Sequence, residues 1–136
     1  DREVLMVFVG PHTYISPDWY ADENLVPTWN YAVVHAYGQP RTMDDAELRR
    51  LLDDLSASQE EQLPKKPWTM DKMPPDLVGK LCKIIVGFDL PITELQDKWK
   101  FNQNRGAADR AGVVTALEEL GGESRLAVAA TMASLE

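Results

Sequence analysis

Lys98, Lys100, Asn102, Gln103, Asn104 and Arg105 crowd into one run, KWKFNQNR, the densest positive and amide-rich group in the chain. An arginine such as Arg105 can grip a phosphate through two parallel N–H donors, and Gln103 or Asn104 offers a donor and an acceptor to the polar edge of a ring. Trp99 can lie against such a ring or simply pack. A second run, PTWNY, offers the Thr28 hydroxyl, the Asn30 amide and the rings of Trp29 and Tyr31. These types can serve in binding anionic or aromatic ligands. The same residues also fit a solvated basic turn before a helix, and a strand whose amide is satisfied within the protein.

Other chemistry finds less support. His12 and His35 are the only histidines, and with Asp18 they make a sparse set for zinc, which wants three or four ligands. Ser16 has no Ser/His/Asp arrangement that the spacing supports, so a hydrolase reading is weak. Cys82 stands alone, which excludes an intramolecular disulfide and CxxC sites; it reads as a small buried hydrophobe on a helix. His35 reads as a hydrogen-bonded residue among aromatics, and His12 as a loop residue bordering a ligand.

The elements that must hold these groups are legible in part. Val4–Val9 is apolar on both strand faces and needs cover on both sides. Trp29–Tyr37 alternates bulky residues with Asn30, Ala32, Val34 and Ala36. Strand alternation then sends Thr28 and Asn30 to one face and Trp29 and Tyr31 to the other. The small face leaves room for a planar ligand beside Asn30, and Trp29, Tyr31 and Tyr37 are expected in packing. Asp44 and Glu47 form a capping-box pair ahead of a leucine stripe, Leu48, Leu51, Leu52 and Leu55. Pro74–Pro75 opens a second helix. Ile84, Val86, Phe88, Leu90 and Ile92 alternate as a strand, with Pro91 marking an edge or bulge. Ala107–Leu120 reads as a helix stopped by Gly121–Gly122, and Ser124 as the cap of a last helix. The class is α+β: a single domain over 1–136, with a helical insertion at 44–82 and C-terminal helices at 107–135.

The 136 residues and formal charge of -8 fit one soluble, cytoplasmic domain and weigh against a nonspecific DNA surface. No apolar run approaches the ~20 residues that span a bilayer. Three or four strands of such apolarity leave open edges, so further strands or a partner chain are expected to complete the sheet.

GPHTYISPDWY, VPTWNYAVVHAYG and KWKFNQNRGAADRAGVV resemble, in order and spacing, the PaiB-type family of FMN-binding negative transcriptional regulators. PWTMDKMP and KIIVGFDLPITELQDKW are similar to it too, so the resemblance covers nearly the whole chain. It implies a flavin-binding split β-barrel, partial here, with flanking and C-terminal helices, usually a homodimer with FMN near the interface. It also implies an N-terminal half that precedes Asp1 in other members, making the chain a fragment or a short relative. Thr28, Trp29, Asn30, Lys98, Trp99, Lys100, Gln103, Asn104 and Arg105 become the implied cofactor residues. Negative regulation rests on the resemblance alone; no helix-turn-helix signature is visible, so a DNA contact is possible only through that family role. Two alternatives stand beside it. One is a flavin-dependent oxidoreductase, although no residue is a convincing general acid or base. The other is a cofactor-free interaction module.

Overall fold

In the computed structural model, which describes residues 2–135, the chain forms two compact units, one made of residues 38–91 with the segment up to Val4 and the other of Leu5–Tyr37 with the chain from Ile92 onward. The mixed α+β class holds; no closed barrel is present among the described residues.

The second unit is built on a three-stranded sheet in the order β1 (Val4–Ile15), β2 (Thr28–Gly38), β5 (Ile92–Lys100). Cross-strand contacts set the directions. Gly10 lies against Ala32 and the Tyr14 ring against Trp29, so β1 runs antiparallel to β2. Thr93 Oγ1 donates to the Tyr37 carbonyl and Lys100 Nζ to Thr28 Oγ1, so β5 does too. Two helices, α3 (Ala107–Leu120) and α4 (Glu123–Ser134), cover one sheet face, separated by Gly121 and Gly122 at φ 63° and 89°. Their Val113, Leu117, Val128, Ala129 and Met132 join Ile15, Tyr20, Ala32 and Phe101 in the core. A loop at 20–24 is tied down by Asp109, whose Oδ1 accepts from the amides of Ala21 and Asp22 at 2.9 and 3.0 Å.

Strand β1 changes phase midway. Gly10 faces Ala32 on the core side, yet Tyr14, four residues on, faces Trp29 on the other side, and Ile15 is fully buried. Regular alternation would keep Gly10 and Tyr14 on one face. The Gly10–Pro11 step absorbs the extra residue as a bulge, and the His12 ring lies 3.0 Å from the Gly10 carbonyl oxygen. A proline suits this position because it has no N–H to leave unpaired.

The first unit pairs two short antiparallel strands, β3 (Arg41–Thr42) and β4 (Phe88–Asp89), and packs α1 (Asp45–Glu60) with α2 (Pro75–Cys82). The capping box forms as the spacing predicts: Asp44 Oδ1 accepts from Ala46 and Glu47 N–H, and Glu47 accepts from Asp44 N–H. Leu48, Val78 and Cys82 are buried together, with Leu52, Met70 and Met73 against them.

Two expectations need correction, and one strand was without a sequence signal. The strand over Ile84–Ile92 shrinks to Phe88–Asp89, and Ile84 and Val86 are 80% and 77% exposed; alternation was present, but without a pairing partner it does not make a strand. The sequence 94–97 instead continues a strand from Ile92 to Lys100, hidden because its side chains are mostly polar and exposed on both faces. Ser124 does not cap α4, whose cap is Gly122; its hydroxyl accepts from His12 N–H and donates to the His12 carbonyl.

Candidate functional site

An open apolar surface of the second unit lies on the sheet face opposite α3 and α4. Val9, His12, Trp29, Tyr31, Ala32 and Val33 line a groove of about 510 Å³ there. The bulge positions it: with unbroken alternation Val9 and His12 would point to opposite faces. A second groove of about 460 Å³ shares His12 and Trp29 and reaches Thr13, Tyr14, Ser124 and Arg125. Trp29 is the joint between them, 53% exposed and braced edge-on by Tyr14 at 6.1 Å. Large flat side chains so exposed offer a stacking surface for a planar ring.

The Asn30 side of β2 carries no such room. Asn30 is fully buried, its Nδ2 3.3 Å from Met132 Sδ, and Ala32 is packed into the helix-covered core. The small side chains thus admit α3 and α4 instead of a ligand, and of the aromatics expected in core or dimer packing Trp29 is exposed and Tyr31 and Tyr37 are half-buried. Sequence alternation separates the faces but does not say which one the helices cover. Asn30 Oδ1 has no hydrogen-bond partner among the described residues, a cost offset only by the packing around it.

The basic run is not one cluster. Lys100 Nζ reaches Thr28 Oγ1, joining the ends of β5 and β2. Gln103 is spent on its own turn, accepting from Phe101 N–H at 2.8 Å and donating to the Trp99 carbonyl at 2.9 Å. Asn102 holds that turn at φ 60°, a left-handed conformation asparagine tolerates, while its Nδ2 donates to the Tyr20 hydroxyl at 3.2 Å. Arg105 lies 6.0 Å over the Tyr20 ring, and its charge helps hold Asp22 below the ordinary carboxylate range after the larger effect of the Asn24 amides. Lys98 and Asn104 are exposed, and Trp99 is half-exposed with its ring tilted against Phe101 at 6.0 Å. The structure thus links Thr28 with Lys100 and sends Arg105 towards Tyr20 and Asp22.

The His35 ring meets Tyr37 edge-on at 6.5 Å and makes no side-chain hydrogen bond among the described residues, unlike its expected role. His12 belongs to β1 rather than a loop, yet borders both grooves. Tyr14, Val9 and Val33 were not singled out from sequence, since nothing short of the sheet register brings them beside Trp29. Among the described residues no three His, Cys, Asp or Glu side chains converge, and no helix is long and apolar enough to cross a membrane.

Residues 1–94 match the family model described as "Putative FMN-binding domain". That span includes Thr28, Trp29 and Asn30 and ends before Lys98. The chain is 39% identical over 117 residues to the protease synthase and sporulation protein PAI 2 of Bacillus subtilis (strain 168), covering 86% of this chain and 56% of that protein. An uncharacterized protein of Emericella nidulans is 35% identical over 142 residues, 93% of this chain and 57% of its own length. One of Saccharomyces cerevisiae is 37% identical over 70 residues, 47% and 41% of the two chains. The chain spans little more than half the length of the first two relatives.

Proposed function

Because the chain belongs to the PaiB-type family of FMN-binding domains, we propose that it binds FMN on the open face of its sheet and serves in negative transcriptional regulation. The single observation that carries the binding is the aromatic groove around Trp29, within the part of the chain that the family model matches. The residues fit the flavin ring: Trp29 and Tyr31 supply a flat apolar surface, and His12 a polar edge beside it. Thr28 and Lys100, joined where β2 and β5 end, offer a hydroxyl and a cation for a phosphate at the rim of that face, while Arg105 is engaged with Tyr20, and Trp99, Gln103 and Asn30 hold the strands and turn beside them. FMN itself would bring a ring that accepts and returns a hydride or electrons. The protein's part is to bind and orient that ring and to keep water from one of its faces.

The sheet is the core of a split β-barrel in this reading, completed in a homodimer or by further strands. Regulation is an extension from the family and rests on no DNA-binding feature of this chain; flavin occupancy or redox state communicated to a partner would serve as well as direct DNA contact.

Titration with FMN, followed by quenching of flavin fluorescence, tests the binding. Saturable binding that Trp29→Ala weakens by ~5- to ~150-fold is expected, since stacking on an exposed ring contributes roughly 1–3 kcal/mol. Absence of saturation, or an unchanged affinity in Trp29→Ala, would remove the groove from the reading. Salt-sensitive, sequence-selective retention of a promoter fragment would support direct repression.

A further inference from the structure

The first unit holds a second surface that flavin binding leaves unused. Three adjoining cavities open between α1, α2 and the segment 67–73, with Met70 in the wall of each. Leu52, Trp68, Met73, Val78 and Cys82 complete an apolar floor. Methionine is unbranched and polarisable, so a methionine-centred floor adapts to varied apolar side chains.

The rim is acidic. Asp53, Asp54, Glu61 and Asp71 line the openings, against a single lining cation, Arg49. None of these four carboxylates has an ion-pair partner among the described residues, whereas Glu47, Asp89 and Glu60 of the same unit are paired with Arg41 and Lys65. Lys72 donates to the Pro67 carbonyl at 2.9 Å instead of lining the groove. The backbone at Trp68 is tied to α1, its main-chain N–H donating to Glu60 Oε2 at 2.8 Å.

We propose that this groove docks a basic amphipathic helix from a partner protein. Apolar side chains at helical spacing enter the Met70 floor, and lysines or arginines flanking them meet the four unpaired carboxylates. Neither a nucleic acid nor a second acidic surface fits such a rim.

Calorimetric titration with a leucine–lysine amphipathic helical peptide, and with its leucine–glutamate counterpart, tests this on the intact protein. Micromolar binding of the lysine peptide alone is expected. Asp53→Asn with Asp71→Asn should weaken it by at least ~10-fold, and added salt should weaken it further. Because these side chains are exposed, the variant keeps its fold, checked by its melting curve. Glu118→Gln with Glu119→Gln on α3 removes the same charge elsewhere and should leave binding unchanged. Equal binding of the two peptides, no binding of either, or equal losses in the two double variants would overturn the proposal. So would wild-type self-association that Met70→Glu abolishes, which would make the occupant a second copy.

Discussion

Glu47 joins a strand to a helix through one carboxylate. Arg41 donates to both its oxygens at 2.8 and 2.9 Å, and Asp44 N–H donates at 3.0 Å. These bonds, the arginine's first, lower its pKa from 4.5 to about 2. A depressed folded pKa means that the added stability is complete above the free value and is lost as pH falls through the folded one. Denaturant midpoints should therefore drop between pH 4.5 and 2, and Glu47→Gln should lie lower at neutral pH and flatter across that window. Gly112 makes an opposite case from the usual helix rule. Replacing a helix glycine by alanine ordinarily stabilises by about 1 kcal/mol. Here a Cβ would sit 2.3 Å from the Trp19 carbonyl oxygen, a backbone atom that cannot swing away. Gly112→Ala should instead destabilise by about 1–3 kcal/mol in a urea melt, the cost typical of overpacking.

At the scale of elements, what could be read from the sequence was what local chemistry decides. The Asp44–Glu47 box, the leucine stripe behind it and the glycine pair after Leu120 each act through neighbours in the chain, and all three helices they mark are present. Asp44→Ala should accordingly cost about 1 kcal/mol, seen as a lower melting temperature with unchanged near-ultraviolet dichroism. Strands were less legible because pairing decides them. Ile84–Val86 has the pattern without a partner strand, and Ile92–Lys100 has a partner without the pattern. The site suffered in the same way. Trp29 and Lys100 could be singled out by type, but Val9 and Tyr14 reach the groove only through the register and the bulge. Which face of β2 stays open depended on where α3 and α4 dock, a long-range choice that alternation leaves undecided.

For the whole molecule, the sheet order places β1 and β5 at the two edges, and exposed apolar side chains lie on both: Val7 and Phe8 on β1, Ile92 and Leu95 on the otherwise polar β5. Such edges invite pairing with another strand. Sedimentation velocity across a micromolar concentration series should show association, and Leu95→Lys with Val7→Lys should reduce it while the monomer's melting curve stays close to wild type. An unchanged association in that variant would take the contact off these two strands.

The bulge at Gly10–Pro11 gives the chain something like a reading frame. Upstream and downstream of it the same odd and even positions mean opposite things, inside and outside. Deleting one of those two residues would only straighten the strand, with Tyr14 still outside and Ile15 still inside, whereas deleting Thr13 would turn Tyr14 towards the core and Ile15 towards water, although neither had changed its identity.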